Sequence, residues 1–259
     1  MVILQDWIDT DRLDWNYISL NINAIELLEK NKNKIYWNLL CANPNAIPLL
    51  QNNIDKICWV ILSLNNNALT LLEQNPDKIN WHYLSLNTGA IPLLMKNQNK
   101  INWRDLSGNS AALPIIEKNI DKVSWIRLSE NPNAIYLLEK NIKMVSWKYL
   151  SKNPNAIHLL EKNINKIWWH GLSSNPNAIH ILEQNLDKVC WEELSENPNA
   201  IYLLEKNLDK VCWERLSSNP NAIHILKNNI DKICWSALSK NPSIFRNYDI
   251  YNLFCCYEI

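Results

Sequence analysis

The sequence predicts an all-α fold: a right-handed α-solenoid of about ten to eleven 22-residue helical-hairpin repeats, with an N-terminal and a C-terminal cap. Three observations carry this expectation. Trp15, Trp37, Trp59, Trp81, Trp103, Trp125, Trp147, Trp169, Trp191, Trp213 and Trp235 stand 22 residues apart, with no insertion or deletion among them. Counted from Trp as position 1, the unit reads W-x-x-L-S-x-N-P-N-A-I-x-L-L-E-K-N-I-D-K-I-x, and position 7 is Asn in all eleven units. Apolar positions 10, 11, 13 and 14 span about 160° of a helical wheel, which is one buried face of a short helix.

Residues 1–14 come first and read as an N-terminal capping helix containing Trp7. Their DRLD (11–14) already matches positions 19–22. The repeats then occupy residues 15–242. Within each unit, Asn-Pro-Asn supplies a preferred N-cap and a first-turn Pro. Pro48, Pro92 and Pro114 at position 12 place the helix start near position 9 or 10, because Pro deeper in a helix would lose a hydrogen bond and clash. Asn at position 17 then suits a left-handed C-terminal residue. A second helix is expected from Asp or Asn at position 19 through K-I-x-W-x-x-L-S.

Two helices of roughly seven to nine residues are marginal alone, so stacking is obligatory. The Trp column is the expected glue. At roughly 9–10 Å per unit the array would form a rod or superhelix on the order of 100 Å long. From Ser243 the pattern fails, and residues 243–259 read as a hydrophobic cap or a self-association segment. The competing architecture is a leucine-rich-repeat-like solenoid, whose period of 20–29 residues includes 22. Its Asn falls one residue out of register here.

The composition narrows the chemistry. Lys plus Arg number 26 and Asp plus Glu number 26, which argues against strong attraction to nucleic-acid backbones or anionic membranes. Seven Cys without a close CxxC pair, no signal-peptide pattern and no apolar run near 20 residues point to a soluble protein of a reducing compartment. The expected location is cytoplasmic, in the host cell if the source is viral.

Cys58, Cys190, Cys212 and Cys234 all hold position 22. Tyr36, Asn80, Ser124 and Trp168 hold it in other units, so these thiols read as half-buried fillers rather than ligands. Ser at position 5 recurs in ten units, as a cap or turn residue would. The sequence offers no phosphate loop and no nucleophile motif. No catalytic, cofactor-binding or metal-binding residue is therefore assigned, and no enzyme activity is expected. The candidate partner-binding stripe is position 12 of the C-terminal half: Tyr136, His158, His180, Tyr202 and His224. Aromatic residues are enriched at interfaces.

At the level of W-x-x-L-S-x-N-P-N-A-I-x-L-L-E-K-N-x-D-K-I, over about residues 11–242, the chain resembles the 22-residue tandem-repeat proteins of mimivirus-like giant DNA viruses of amoebae and their mobile elements. The resemblance implies no activity and no site residues. The early units, with NNNAL and NTGAI, depart from its pattern. The expected function is a non-enzymatic scaffold that binds another protein through variable positions 2, 3, 6, 12 and 16. A nucleic-acid-binding repeat protein and a structural component that dimerises through its tail are the alternatives.

Overall fold

A computed structural model describes residues 2–247 and is mostly helical, in a regularly repeating pattern. Each unit begins with a Trp-led helix of four to six residues, such as Trp15–Leu20, Trp147–Leu150 and Trp235–Lys240. A turn leads to a second helix that starts at position 11, such as Ile47–Gln51 or Ile157–Glu161. In most units a three-residue 3-10 turn follows at positions 18–20, as in Ile54–Lys56 and Ile164–Lys166. Leu at position 4, Ala at position 10 and the aliphatic residue at position 14 are fully buried, for example Leu150, Ala156 and Leu160. The core therefore lies between two rows of helices.

The position of the second helix agrees with its proline signals. Pro48, Pro92 and Pro114 sit in the first turn, where no hydrogen bond is lost. The rest of the hairpin differs from expectation. Both helices are shorter, and the Trp-led helix starts at Trp rather than at position 19. Two contacts explain this. The position 17 amide donates back to the carbonyl at position 13, as Asn163 Nδ2 does to Leu159 O at 2.9 Å, and so ends the second helix. Ile at position 21 then turns into the core on extended backbone, as Ile57 does with φ −71° and ψ 122°.

Ser at position 5 fixes the next step. Ser151 Oγ donates to Trp147 O at 2.8 Å and accepts the position 22 N–H of Trp168 at 3.0 Å. Asn at position 17 is not left-handed: Asn163 has φ −135°, and no described residue has positive φ.

Asn at position 7 joins the units. Asn43 Nδ2 donates to Ser19 O at 3.1 Å and to Asn21 O at 2.9 Å in the preceding unit, while its Oδ1 accepts Asn45 N–H at 3.0 Å. The same pair of bonds reappears between the first unit and the last. Asn21 Nδ2 donates to Ser239 O at 3.1 Å and to Asn241 O at 2.9 Å. Helix Trp15–Leu20 packs on Trp235–Lys240 as it packs on Trp37–Leu40. The array is a closed ring, not the open rod expected.

The chain ends form the seam. Residues 10–14 complete the unit that Trp235 begins, with Thr10–Arg12 supplying its 3-10 turn. Leu13 is buried where other units bury Ile, and Asp14 N–H reaches Ser239 Oγ at 2.9 Å. Strand β1 (Val2–Leu4) pairs antiparallel with β2 (Phe245–Asn247), with Ile3 opposite Arg246. The expected capping helix at residues 1–14 is thus a strand and a 3-10 turn, because these residues fill a vacancy in the eleventh unit instead of covering an end. The leucine-rich-like alternative needs a strand in every unit, whereas the described strands occur only at the seam. At the tail, Ile244 and Phe245 are buried. The remainder, 248–259, with Cys255 and Cys256, lies outside the described residues.

Candidate interaction surface

Successive units of a closed ring turn through the same angle, so the helix row with the closer neighbours runs at the smaller radius. Trp-led helices pack more closely on one another than the second helices do. The Trp-led row is therefore the inner one. On such a helix, Leu at position 4 points outward to the core, and at 100° per residue positions 2 and 6 point the opposite way, into the opening. Position 3 faces along the ring toward a neighbouring unit.

Around the opening the lining changes character. In the first four units it carries Leu20, Val60, Leu64 and Leu86, of which Val60 and Leu64 are 44% and 39% exposed. Arg104, Lys148 and Lys152 follow, with Ile126 and Glu130 between them, and Glu130 is paired to Arg127 at 3.0 Å. Glu192, Glu196 and Glu214 come next, and Lys240 follows them in the last unit. From position 3, Arg215 holds Glu196 at 2.8 Å and Glu192 at 3.5 Å. The hydrogen bond to Glu196 outweighs partial burial and pushes the Arg215 pKa further up.

Two position 3 residues are buried at this inner row. Asp105 Oδ2 lies 3.0 Å from His82 Nδ1. Gly171 is the space beneath Trp168, since a Cβ there would lie 2.4 Å from the indole. Lys148 stands 4.8 Å from the Trp168 ring centroid, and the His170 ring stacks at the same distance.

The sequence-predicted stripe lies on the outer row, and its members have partners within the chain. His158 Nε2 is 2.8 Å from Glu139 Oε1, His180 Nε2 is 2.9 Å from Glu161 Oε1, and His224 Nε2 is 2.7 Å from Glu205 Oε1. Each pair joins position 12 to position 15 of the preceding unit. Lys140 lies over Tyr136, and Lys206 lies over Tyr202 and contacts its hydroxyl. All five side chains remain exposed to solvent, so the stripe is a brace with an open outer side. The Lys column at position 20 covers the Trp column: Lys34 lies 4.4 Å from Trp15 and Lys166 4.6 Å from Trp147. Arg12 repeats this over Trp235 at 4.3 Å, across the seam.

Sequence reasoning misses one row. Position 18 reads as part of the recurring frame, yet Ile120, Ile142, Ile164, Leu186, Leu208 and Ile230 are 37–49% exposed in six successive units. The signal that could reveal it is the 3-10 turn at positions 18–20, none of whose residues is buried in these units.

Cys58, Cys190, Cys212 and Cys234 are free and half-buried at the N-cap of the Trp-led helix. Cys41 takes the place of Ser at position 5 and accepts Cys58 N–H at 3.2 Å. Burial pushes its thiol pKa up. Among the described residues no group of three or more His, Cys, Asp or Glu side chains is placed to hold a metal ion. No helix there is long and apolar enough to cross a membrane. No protein-family model, curated protein or solved structure matches the chain.

Proposed function

We propose that the chain is a non-enzymatic scaffold, a right-handed array of eleven helical repeats, that binds another protein through its variable positions. One division of labour supports this. The recurring residues at positions 4, 5, 7, 10 and 14 (Leu150, Ser151, Asn153, Ala156 and Leu160 in one unit) are buried in contacts between or within units. The residues that change from unit to unit, at positions 2, 6 and 12, face outward from those contacts. Selection of a partner by these positions is what such an arrangement permits. A cytoplasmic setting, that of the host cell for a viral source, agrees with this reading and with the viral resemblance.

The test is capture of partners by the immobilised ring, followed by binding measurements with each recovered protein after purification. A defined complex of micromolar or tighter affinity is expected. Recovered proteins that fail to bind once purified would overturn the proposal. Arg104, Arg127, Lys148 and Lys152 favour a second reading, nucleic-acid binding. A mobility shift that weakens steeply with salt would identify it. Self-association through the tail is tested by light scattering of the full chain against one ending at Asn247, which keeps β2.

A further inference from the structure

We infer that the opening of the ring is a docking site for one amphipathic helix, with an apolar stripe flanked by acidic residues on one side and basic residues on the other. The inference rests on the protein-binding reading and supplies its surface and the partner's chemistry.

Size is the first argument. Eleven Trp-led helices spaced about 9 Å apart close a circle roughly 30 Å across, and their own bulk leaves an opening of roughly 20 Å. A helix with side chains is about 10–12 Å wide and fits with room for contacts.

Charge and polarity are the second. With eleven units, each turns through about 33°. The apolar sector centres on the third unit, with Val60 and Leu64; the basic sector centres on the seventh, with Lys148 and Lys152, beyond Ile126 and the Arg127-paired Glu130 of the sixth; the acidic sector lies at the ninth and tenth, with Glu192, Glu196 and Glu214 around Arg215. The three centres thus stand apart around the circle. Stacking does not require Val60 or Leu64, since Asn, His, Arg, Lys and Glu hold position 2 elsewhere and Gly, Glu, Lys and Ser hold position 6. A helix can meet all three sectors at once, burying its apolar stripe and pairing both flanks. A nucleic-acid strand would bring phosphates against Glu214, beside Glu192 and Glu196 that Arg215 already pairs, and like charges at such separations repel.

The test uses the full chain and four synthetic 18-residue helical peptides, followed by fluorescence anisotropy. One has a Leu stripe with Glu on one flank and Lys on the other. Two share the stripe but carry only Glu or only Lys, and the fourth is a scramble without a stripe. The mixed peptide is expected to bind at least tenfold more tightly than the others. Leu64→Asp and the pair Lys148→Glu, Lys152→Glu should each weaken it at least tenfold, while Ile164→Asp on the rim should leave it unchanged. Leu64, Lys148 and Ile164 are exposed and Lys152 is half-buried against Trp168, and circular dichroism confirms that each variant retains its helix content. Equal affinity for all four peptides, or greater sensitivity to Ile164→Asp than to Leu64→Asp, overturns the docking site. If a captured protein binds Leu64→Asp as well as it binds the parent chain, the scaffold reading stands and the opening is not its site. If nothing binds either ring, both fall.

Discussion

Asn153 shows how much one side chain can hold. It is fully buried, its Nδ2 donates to Ser129 O at 3.0 Å and Asn131 O at 2.9 Å, and its Oδ1 accepts Asn155 N–H at 3.0 Å. Alanine would strand the Ser129 carbonyl and the Asn155 amide, while Asn131 O keeps the Ala134 N–H, at about 1–3 kcal/mol for each group left without a partner. Asn153→Ala is therefore expected to lower stability by roughly 2 kcal/mol or more in urea titration. Exposed Asn165→Ala should stay within about 0.5 kcal/mol. The recurrence of Asn at position 7 makes its backbone-satisfying role legible in the sequence; its acceptors, 22 and 24 residues away, are not. Cys41 offers a second residue-scale prediction. Burial raises its thiol pKa above the ordinary value, so the fold disfavours the thiolate. Its contribution is complete below the unfolded thiol pKa and is lost as pH rises through the interval up to the folded one. Cys41→Ser restores the hydroxyl found in ten other units. The difference in urea midpoint between the two proteins should widen in favour of the serine form from about pH 7 to about pH 9.5, the range in which a free thiol ionises.

At the scale of the element, the second helix is readable in the sequence and the first is not. Pro at position 12 fixes where the second helix can begin, since only the first turn tolerates it. Asp or Asn at position 19 looks like an N-cap for the following helix. It lies in the 3-10 turn instead, because the hydroxyl at position 5 draws the position 22 N–H inward from 17 residues before, as Ser63 does for Asn80. A long-range side-chain contact outweighs a local capping preference there. The same reasoning predicts contrasting proline variants in helix Ile157–Glu161. His158→Pro places proline where Pro48 stands in another unit and gives up only the exposed bridge to Glu139, so it should cost under about 1 kcal/mol. Leu160 N–H donates to Ala156 O and its side chain is fully buried. Leu160→Pro should cost at least about 3 kcal/mol and abolish a single thermal transition.

For the whole molecule, a 22-residue period says that units stack but does not fix their curvature, so an open rod and a ring are equally compatible with the repeat. The clue lies at the ends. DRLD at 11–14 matches the close of a unit, and the repeat after Trp235 stops past Pro242, so two partial units complement each other. Their joining leaves no terminal unit, which changes how the chain should respond to damage. In an open array each unit is stabilised only by its neighbours, and end units fray first. Asn21 would then face no preceding unit, and its loss would be nearly silent. In the ring Asn21 donates to Ser239 O and Asn241 O with the same geometry that Asn43 has toward Ser19 O and Asn21 O. Asn21→Ala should therefore destabilise the protein as much as Asn153→Ala, within about 0.5 kcal/mol, the additivity expected of equivalent separated sites. Urea titrations of the two variants side by side decide it: matching midpoints require the seam, and a near-parental midpoint for Asn21→Ala alone would mean that the ends do not meet in solution.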